Sequence, residues 1–315
     1  MGPTMHDVAR MADVSIKTVS NVINDYPHIR ADTKQRVLDA IEQLGYRPNL
    51  SARGLRSGRT GVIGLAVPAL RENYFAELAD SIIRAAEKRG LGVMVEQTSG
   101  EREAELLAVS GGRRRFMDGL LFSPKSLGQG DAAALDVGFP MVLLGERIFG
   151  GPTDHVTMHN VSSARAAVDH LLQLGRRRIA LIGADLADQD ETSSASLRLR
   201  GYRDALTAAG IELSPTLVRP AEHWNRASGA DATRRLIGEG VRFDAIFSLN
   251  DTLGLGALRA LGEAGVDVPT DVAVIGFDNI DETRFSVPSM SSVETGRDQI
   301  AALAVDLLIE RINEK

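Results

Sequence analysis

From Gly61 onward, short apolar runs alternate with longer amphipathic stretches, and this alternation constrains the chain more than any other feature. The runs are GVIGLAVP (61–68), GVMVE (92–96), GLLFS (119–123), MVLLG (141–145), RIALIG (178–183), AIFSL (245–249) and VAVIGF (272–277). Between them lie helical patterns such as 74–89, where Phe75, Leu78, Ala79, Ile82, Ile83 and Ala86 mark one face. Strands that alternate with helices imply βαβ units and parallel sheets covered on both faces. The units are too many for one compact sheet. A split near residue 160 predicts two similar lobes of roughly 100 and 130 residues.

Composition narrows the class. The 315 residues are 43% apolar and 25% charged, the mixture of a globular chain and not of a disordered one. No window reaches the roughly 18 apolar residues that a membrane span requires, and no secretory signal pattern opens the sequence. Cysteine is absent, so disulfides, thiol catalysis and zinc–thiolate sites are excluded. A reducing cytoplasm is the expected home. Residues 1–60 hold nine Lys/Arg against six Asp/Glu, whereas the remainder holds 27 against 36. A basic head on an acidic body suggests that one part alone meets a polyanion.

That head reads as three short helices. The segment DVARMADVSIKTVSNVIN (7–24) places Ala9 in a first helix, Val14 after a turn and Val19 in a second helix, the spacing of a helix-turn-helix. Asp13 takes the turn position, where Asp tolerates a left-handed backbone better than most residues. Ser15 is a good N-cap. A third helix from Ala31 to Leu44 shows Val37, Leu38, Ile41 and Leu44 at helical spacing and stops at Gly45. The second helix would present Ile16, Lys17, Ser20 and Asn21 to a major groove. Lys17 can donate to guanine, Asn21 can pair with adenine and Ile16 can touch a thymine methyl. Ser15 and Thr18 suit phosphates, and Thr4 and Asn24 complete the expected contact set. A three-helix module that binds protein is the alternative. Residues 49–60, NLSARGLRSGRT, form a basic linker with at most one or two helical turns, which Gly54 weakens.

Other signatures fail. Gly254 and Gly256 lack the third glycine of a dinucleotide fingerprint, and neither a phosphate loop nor a G-x-S-x-G elbow occurs. His155 and His159 carry no helical H-E-x-x-H. The runs Arg113–Arg115 and Arg176–Arg178 read as solvated caps before strands. No cofactor and no metal are expected, and no catalytic residues are assigned.

The order and spacing of HDVARMADVSIKTVSNVIN (6–24), TKQRVLDAIEQLGYRPN (33–49), SARGLRSGRT (51–60), TGVIGLAVP (60–68), LGERI (144–148), LRLRGYRDAL (197–206), SLNDTLGLGALRAL (248–261) and VAVIGFDN (272–279) resemble the LacI/GalR family of bacterial transcriptional regulators along nearly the full chain. The resemblance implies an all-α helix-turn-helix headpiece (1–47) and a hinge helix (48–60). An α/β two-lobed core similar to periplasmic binding proteins, with parallel sheets, then fills 61–315. Its first lobe would span about 61–160 with a return near 290–315, and its second about 161–290. A homodimer reading a pseudo-palindromic operator is implied. So is a minor-groove wedge at Leu55 beside the small Ala52, with Arg53 and Arg56 holding phosphates.

In the core the resemblance implies that Arg198 grips paired hydroxyls or a carboxylate and that Trp224 stacks on the ligand. It also implies a ligand-facing aromatic at Tyr74 or Phe75, and an acid–arginine pair at Glu146 and Arg147, where the family has Asp. Asn250-Asp251 and Asp278 follow apolar runs, where strands stop and a cleft begins. The expected function is an effector-responsive regulator, most simply a repressor governed by a sugar-like molecule. The expected mechanism is linkage between lobe geometry and hinge spacing. A solute-binding receptor without DNA function and an enzyme on a doubly wound fold are the alternatives. With no leucine heptad after the last helix, a dimer is expected.

Overall fold

The computed structural model describes residues 3–23, 26–46, 59–188 and 190–314. They form two compact units, divided after Gly61. The amino-terminal unit holds α1 (Met5–Met11), α2 (Ile16–Ile23) and α3 (Ala31–Leu44). Thr4 opens α1 with a reciprocal cap: its hydroxyl accepts from the Asp7 N–H, and the Asp7 carboxylate accepts from the Thr4 N–H. Asp13 sits at φ 51° between α1 and α2, the left-handed turn that its short polar side chain tolerates. Val8, Ala9, Ala12, Val19, Val22, Val37 and Ala40 are buried together. Leu38 departs from the expected face and is 42% exposed. One residue beyond Val37 is a rotation of about 100° on a helix, so Leu38 points away from the face built by Val37, Ala40, Ile41 and Leu44. The Val14 N–H donates to the Ala9 carbonyl at 3.0 Å and closes the turn.

The second unit contains two parallel five-stranded sheets. The first joins β1 (Val62–Val67), β2 (Gly92–Gln97), β3 (Gly119–Phe122), β4 (Met141–Leu144) and β5 (Asp154–Val156) in the order β2-β1-β3-β4-β5. Helix α4 (Asn73–Glu87) covers one face, and α5 (Arg102–Ser110) lies over the other. The second sheet joins β6 (Ile179–Ile182), β7 (Val218–Arg219), β8 (Ala245–Ser248), β9 (Ala273–Phe277) and β10 (Ser291–Val293) in the order β10-β9-β8-β6-β7. One of its faces packs on α6 (Asn160–Gln173) and α7 (Ser194–Ala208), the other on α8 (Arg226–Gly238) and α9 (Asp251–Glu263). After the short α10 (Glu282–Phe285), α11 (Arg297–Asn313) returns to the first sheet, where Ile300, Val305 and Leu308 join Ile63, Leu65 and Ile82. Strands such as Ile179–Ile182 are buried throughout because both sheet faces are covered.

Three strands lie outside the seven apolar runs. β5, β7 and β10 are only two or three residues long, too short for a pattern of their own, and each pairs at a sheet edge. The arginine runs also differ from simple solvated caps. Arg113 pairs with Glu96, and Arg176 donates to the carbonyls of Pro269, Thr270 and Asp271, tying the end of α6 to the loop before β9.

Candidate functional site

Both sheets share the flavodoxin-like order, with the first strand flanked by the second and the third. Such sheets bind ligands outside the carboxyl ends of their strands at that switch point. The carboxyl ends of the two sheets face each other across a cavity of about 350 Å³. Tyr74, Phe75 and Glu146 line it from the first lobe; Arg198, Trp224, Asn250 and Asp278 line it from the second. Asp251, which the sequence places beside Asn250 at a strand end, is fully buried and does not line the cavity.

Arg198 lies at the centre of the site, 4% exposed on the inner face of α7. Its Nε donates to Asn160 Oδ1 at 2.8 Å and its Nη1 to the Leu249 carbonyl. Its guanidinium lies over the Phe277 ring at 3.6 Å from the centroid and 3.7 Å from the Asp278 carboxylate. A buried cation needs this degree of satisfaction. Among the described residues no cation pairs with Glu146: its Oε2 accepts from Asn160 Nδ2 at 3.2 Å and its Oε1 from the Ser194 hydroxyl. Trp224, the single tryptophan, stands half-buried with its indole N–H donating to the Gly183 carbonyl at 3.1 Å. Tyr74 and Phe75 meet edge to face at 5.3 Å. Burial, with the Asp278 and Glu146 carboxylates adding to it, raises the Tyr74 phenol above its usual range.

Asp278 carries an unusual backbone. Gly145 and Gly183 follow β4 and β6 at φ 95° and 114°, and the residue in the same place after β9 is Asp278, at φ 111°. A side chain held in that region signals a constraint that the surrounding structure overrides, and such positions cluster at ligand clamps. Burial pushes the Asp278 carboxyl well above the usual carboxylate range, although Arg198 and Arg297 oppose the shift. Asp251 is raised to about 7 by burial, against the hydrogen bonds it accepts from Ser292 and from the Ile280 N–H.

Asn250 is partly committed elsewhere. Its Oδ1 caps α9 by accepting from the Leu253 N–H at 2.9 Å, and its Nδ2 donates to the Trp224 carbonyl at 3.3 Å. Asn160, Ser194, Lys125 and Asp190 escaped the sequence reading. Nothing in VTMHNVSS or DETSSAS separates Asn160, Asp190 and Ser194 from residues that cap or precede a helix. Lys125 and Asp190 line the cavity, as does Arg147. Lys125 pairs with Glu72 at 3.4 Å and Arg147 with Asp190 at 2.5 Å.

In the headpiece, Ile16 and Lys17 are exposed at the start of α2, while Ser20 and Asn21 are half-buried. Ser15 caps α2, its Oγ accepting from the Thr18 N–H at 3.1 Å. Thr4 is exposed but spends its hydroxyl on Asp7. Asn24, Ala52, Arg53, Leu55 and Arg56 lie outside the described residues.

The family profile described as "Bacterial regulatory proteins, lacI family" matches residues 4–49, and one described as "Periplasmic binding protein-like domain" matches residues 168–315. The HTH-type transcriptional repressor PurR of Pasteurella multocida is 31% identical over 99% of this chain and 92% of its own length. The chain belongs to the LacI family. The ribose operon repressor of Escherichia coli is likewise 31% identical, over 99% of this chain and 93% of that protein. A lac repressor dimer bound to operator and the anti-inducer ONPF superposes with a TM-score of 0.84 at 29% identity, covering 100% of this chain and 94% of that one. A complex of the regulator CelR with cellobiose gives 0.68 at 33% identity, covering 99% and 94%. This LacI-family chain is therefore a ligand-responsive transcriptional regulator whose helix-turn-helix binds DNA, and the reading as a receptor without DNA function falls. Its relatives are regulators of transcription. Among the described residues no helix is long and apolar enough to cross a membrane, and no cluster of side chains could hold a metal ion.

Proposed function

We propose that the chain is a cytoplasmic, non-enzymatic homodimeric repressor that releases or grips a pseudo-palindromic operator according to whether an uncharged carbohydrate occupies the cavity between its lobes. One observation carries the effector class. Each cation in the cavity already faces a carboxylate: Lys125 meets Glu72, Arg147 meets Asp190 and Arg198 meets Asp278. Among the described residues Glu146 pairs with no cation. A phosphate or carboxylate ligand would have to compete with these carboxylates for a cation and would meet Glu146 as well. A neutral polyol instead finds fixed donors and acceptors, with Trp224 and Phe75 as apolar walls. The likeness to the ribose operon repressor and to the cellobiose complex supports a sugar.

The ligand-contact roles of Tyr74, Phe75, Glu146, Arg198, Trp224, Asn250 and Asp278 belong to this proposal. So do the DNA contacts of Thr4, Ser15, Ile16, Lys17, Thr18, Ser20, Asn21 and Asn24, and the hinge roles of Ala52, Arg53, Leu55 and Arg56. Phe285 and Val287, 77% and 95% exposed, give the second lobe an apolar surface suited to a second copy of the chain. Fluorescence titration of the full chain with ribose, glucose, cellobiose and glucose 6-phosphate tests the effector class. A saturable Trp224 response to a neutral sugar that also changes retention of operator DNA is the expected result. A response confined to the phosphorylated sugar would overturn the reading.

A further inference from the structure

Between the two ligand-facing groups of opposite charge stands a side chain that no motif announced. Asn160 is 3% exposed and is the first residue of α6, where the chain has just crossed from the first sheet to the second. Its two polar atoms serve different lobes. Oδ1 accepts from Arg198 Nε at 2.8 Å, while Nδ2 donates to Glu146 Oε2 at 3.2 Å. We propose that Asn160 is a positioning residue that fastens Glu146 of the first lobe to Arg198 of the second, so that the effector meets them as one preassembled unit.

The chemistry singles out a carboxamide. Arg198 Nε can only donate and the Glu146 carboxylate can only accept, so the residue between them must accept on one side and donate on the other. Aspartate has the same shape but would oppose an oxygen to Glu146 Oε2 across the 3.2 Å now spanned by a hydrogen bond. Leucine would leave Arg198 Nε and Glu146 Oε2 unpaired in a buried site, where each lost partner is costly. The far side of Glu146 is held by the Ser194 hydroxyl from the start of α7, so its carboxylate cannot swing away without losing a second bond. The purpose of the bridge rests on the effector reading above, whereas the bridge itself needs no ligand.

Trp224 reports on it directly. It is the single tryptophan, it lines the cavity and its ring lies 5.6 Å from the Arg198 guanidinium. Acrylamide quenching and emission maximum of the full-length chain, without any ligand, are the readouts. Asn160→Asp should raise the quenching constant about twofold as the lobes part and the ring is uncovered. The reciprocal pair Asn160→Asp with Glu146→Gln keeps the charge of the site and exchanges the amide and the carboxylate. In that double variant the amide at position 146 donates back to the carboxylate at position 160, which still accepts from Arg198. Quenching and emission should return to the wild-type values. Wild-type quenching in Asn160→Asp, or a double variant no better than that single variant, overturns the proposal. If Asn160→Asp alone fails to fold, recovery of cooperative unfolding and native quenching in the double variant supports the bridge, and its absence overturns it. A wild-type chain whose emission no sugar alters would sink the effector reading and leave this result standing.

Discussion

The two lobes of the core share one strand order and differ in the charged side chains they bury. The first lobe brings Glu105 and Glu146 into buried positions, and both accept hydrogen bonds from uncharged donors. Glu105 accepts from the backbone N–H groups of Lys125, Ser126 and Leu127, and Glu146 accepts from Asn160 and Ser194. The second lobe buries Arg198, Asp251 and Asp278, with Arg297 at its edge donating to the carbonyls of Asp278 and Asn279. Repetition of topology thus produces two facing crevices, while the buried charged side chains around them differ: carboxylates alone in the first lobe, an arginine with two carboxylates in the second.

The sharpest way to break this contrast is Arg198→Ala. It strands the buried Asp278 and removes the partner of Asn160, so destabilisation of about 3–5 kcal/mol is expected in urea unfolding, together with loss of the effector response. DNA binding by the headpiece should survive under native conditions. A variant that is as stable as the wild type and still responds would show that the charge of the second lobe is incidental.

The next largest effect is a pH dependence confined to the second lobe. Asp251 titrates near 7 in the folded chain because burial disfavours its charged form. Its folded value lies above its unfolded one, so its contribution is fully present below the ordinary carboxylate range and is lost as pH rises through about 7. The wild type should therefore lose more stability between about pH 5.5 and 8 than Asp251→Asn does, as read by thermal midpoints at both ends of that range. Parallel pH profiles for the two proteins would contradict the assignment.

A smaller effect probes packing. A Cβ built at Gly229 would lie 2.1 Å from the Leu253 carbonyl oxygen, where α8 crosses α9. Gly229→Ala should cost about 1–3 kcal/mol in urea unfolding through forced separation of these helices. The smallest effect lies outside the core. Ser15→Ala removes the cap of α2 and should cost the headpiece about 1 kcal/mol. It should weaken DNA retention while leaving Trp224 emission unchanged. A change in Trp224 would mean that the two units are energetically tied.

Legibility in the sequence follows the same physics. Seven strands are readable because double-sided burial makes them continuous apolar runs, whereas β5, β7 and β10 are edge segments held by pairing. The cleft aromatics and Arg198 were legible through a family pattern. Asn160 and Ser194 were not, since a polar residue at a helix start looks the same whether it caps the helix or reaches across a cleft. Glu105 reads as one more charge on an amphipathic helix, and only folding shows it gripping three backbone amides.

Local patterning by itself determined the three-helix head with its left-handed turn at Asp13, the alternation of strands and helices, and the want of cysteine chemistry. These are properties of neighbouring residues and of the burial period they impose. Tertiary structure decided the rest. It set how α11 returns to the first sheet and which carboxylate meets which arginine. It also brought residues as distant in sequence as Glu146 and Arg198 onto one amide. Pairing of that kind depends on distances across two packed sheets, and no spacing along the chain encodes them.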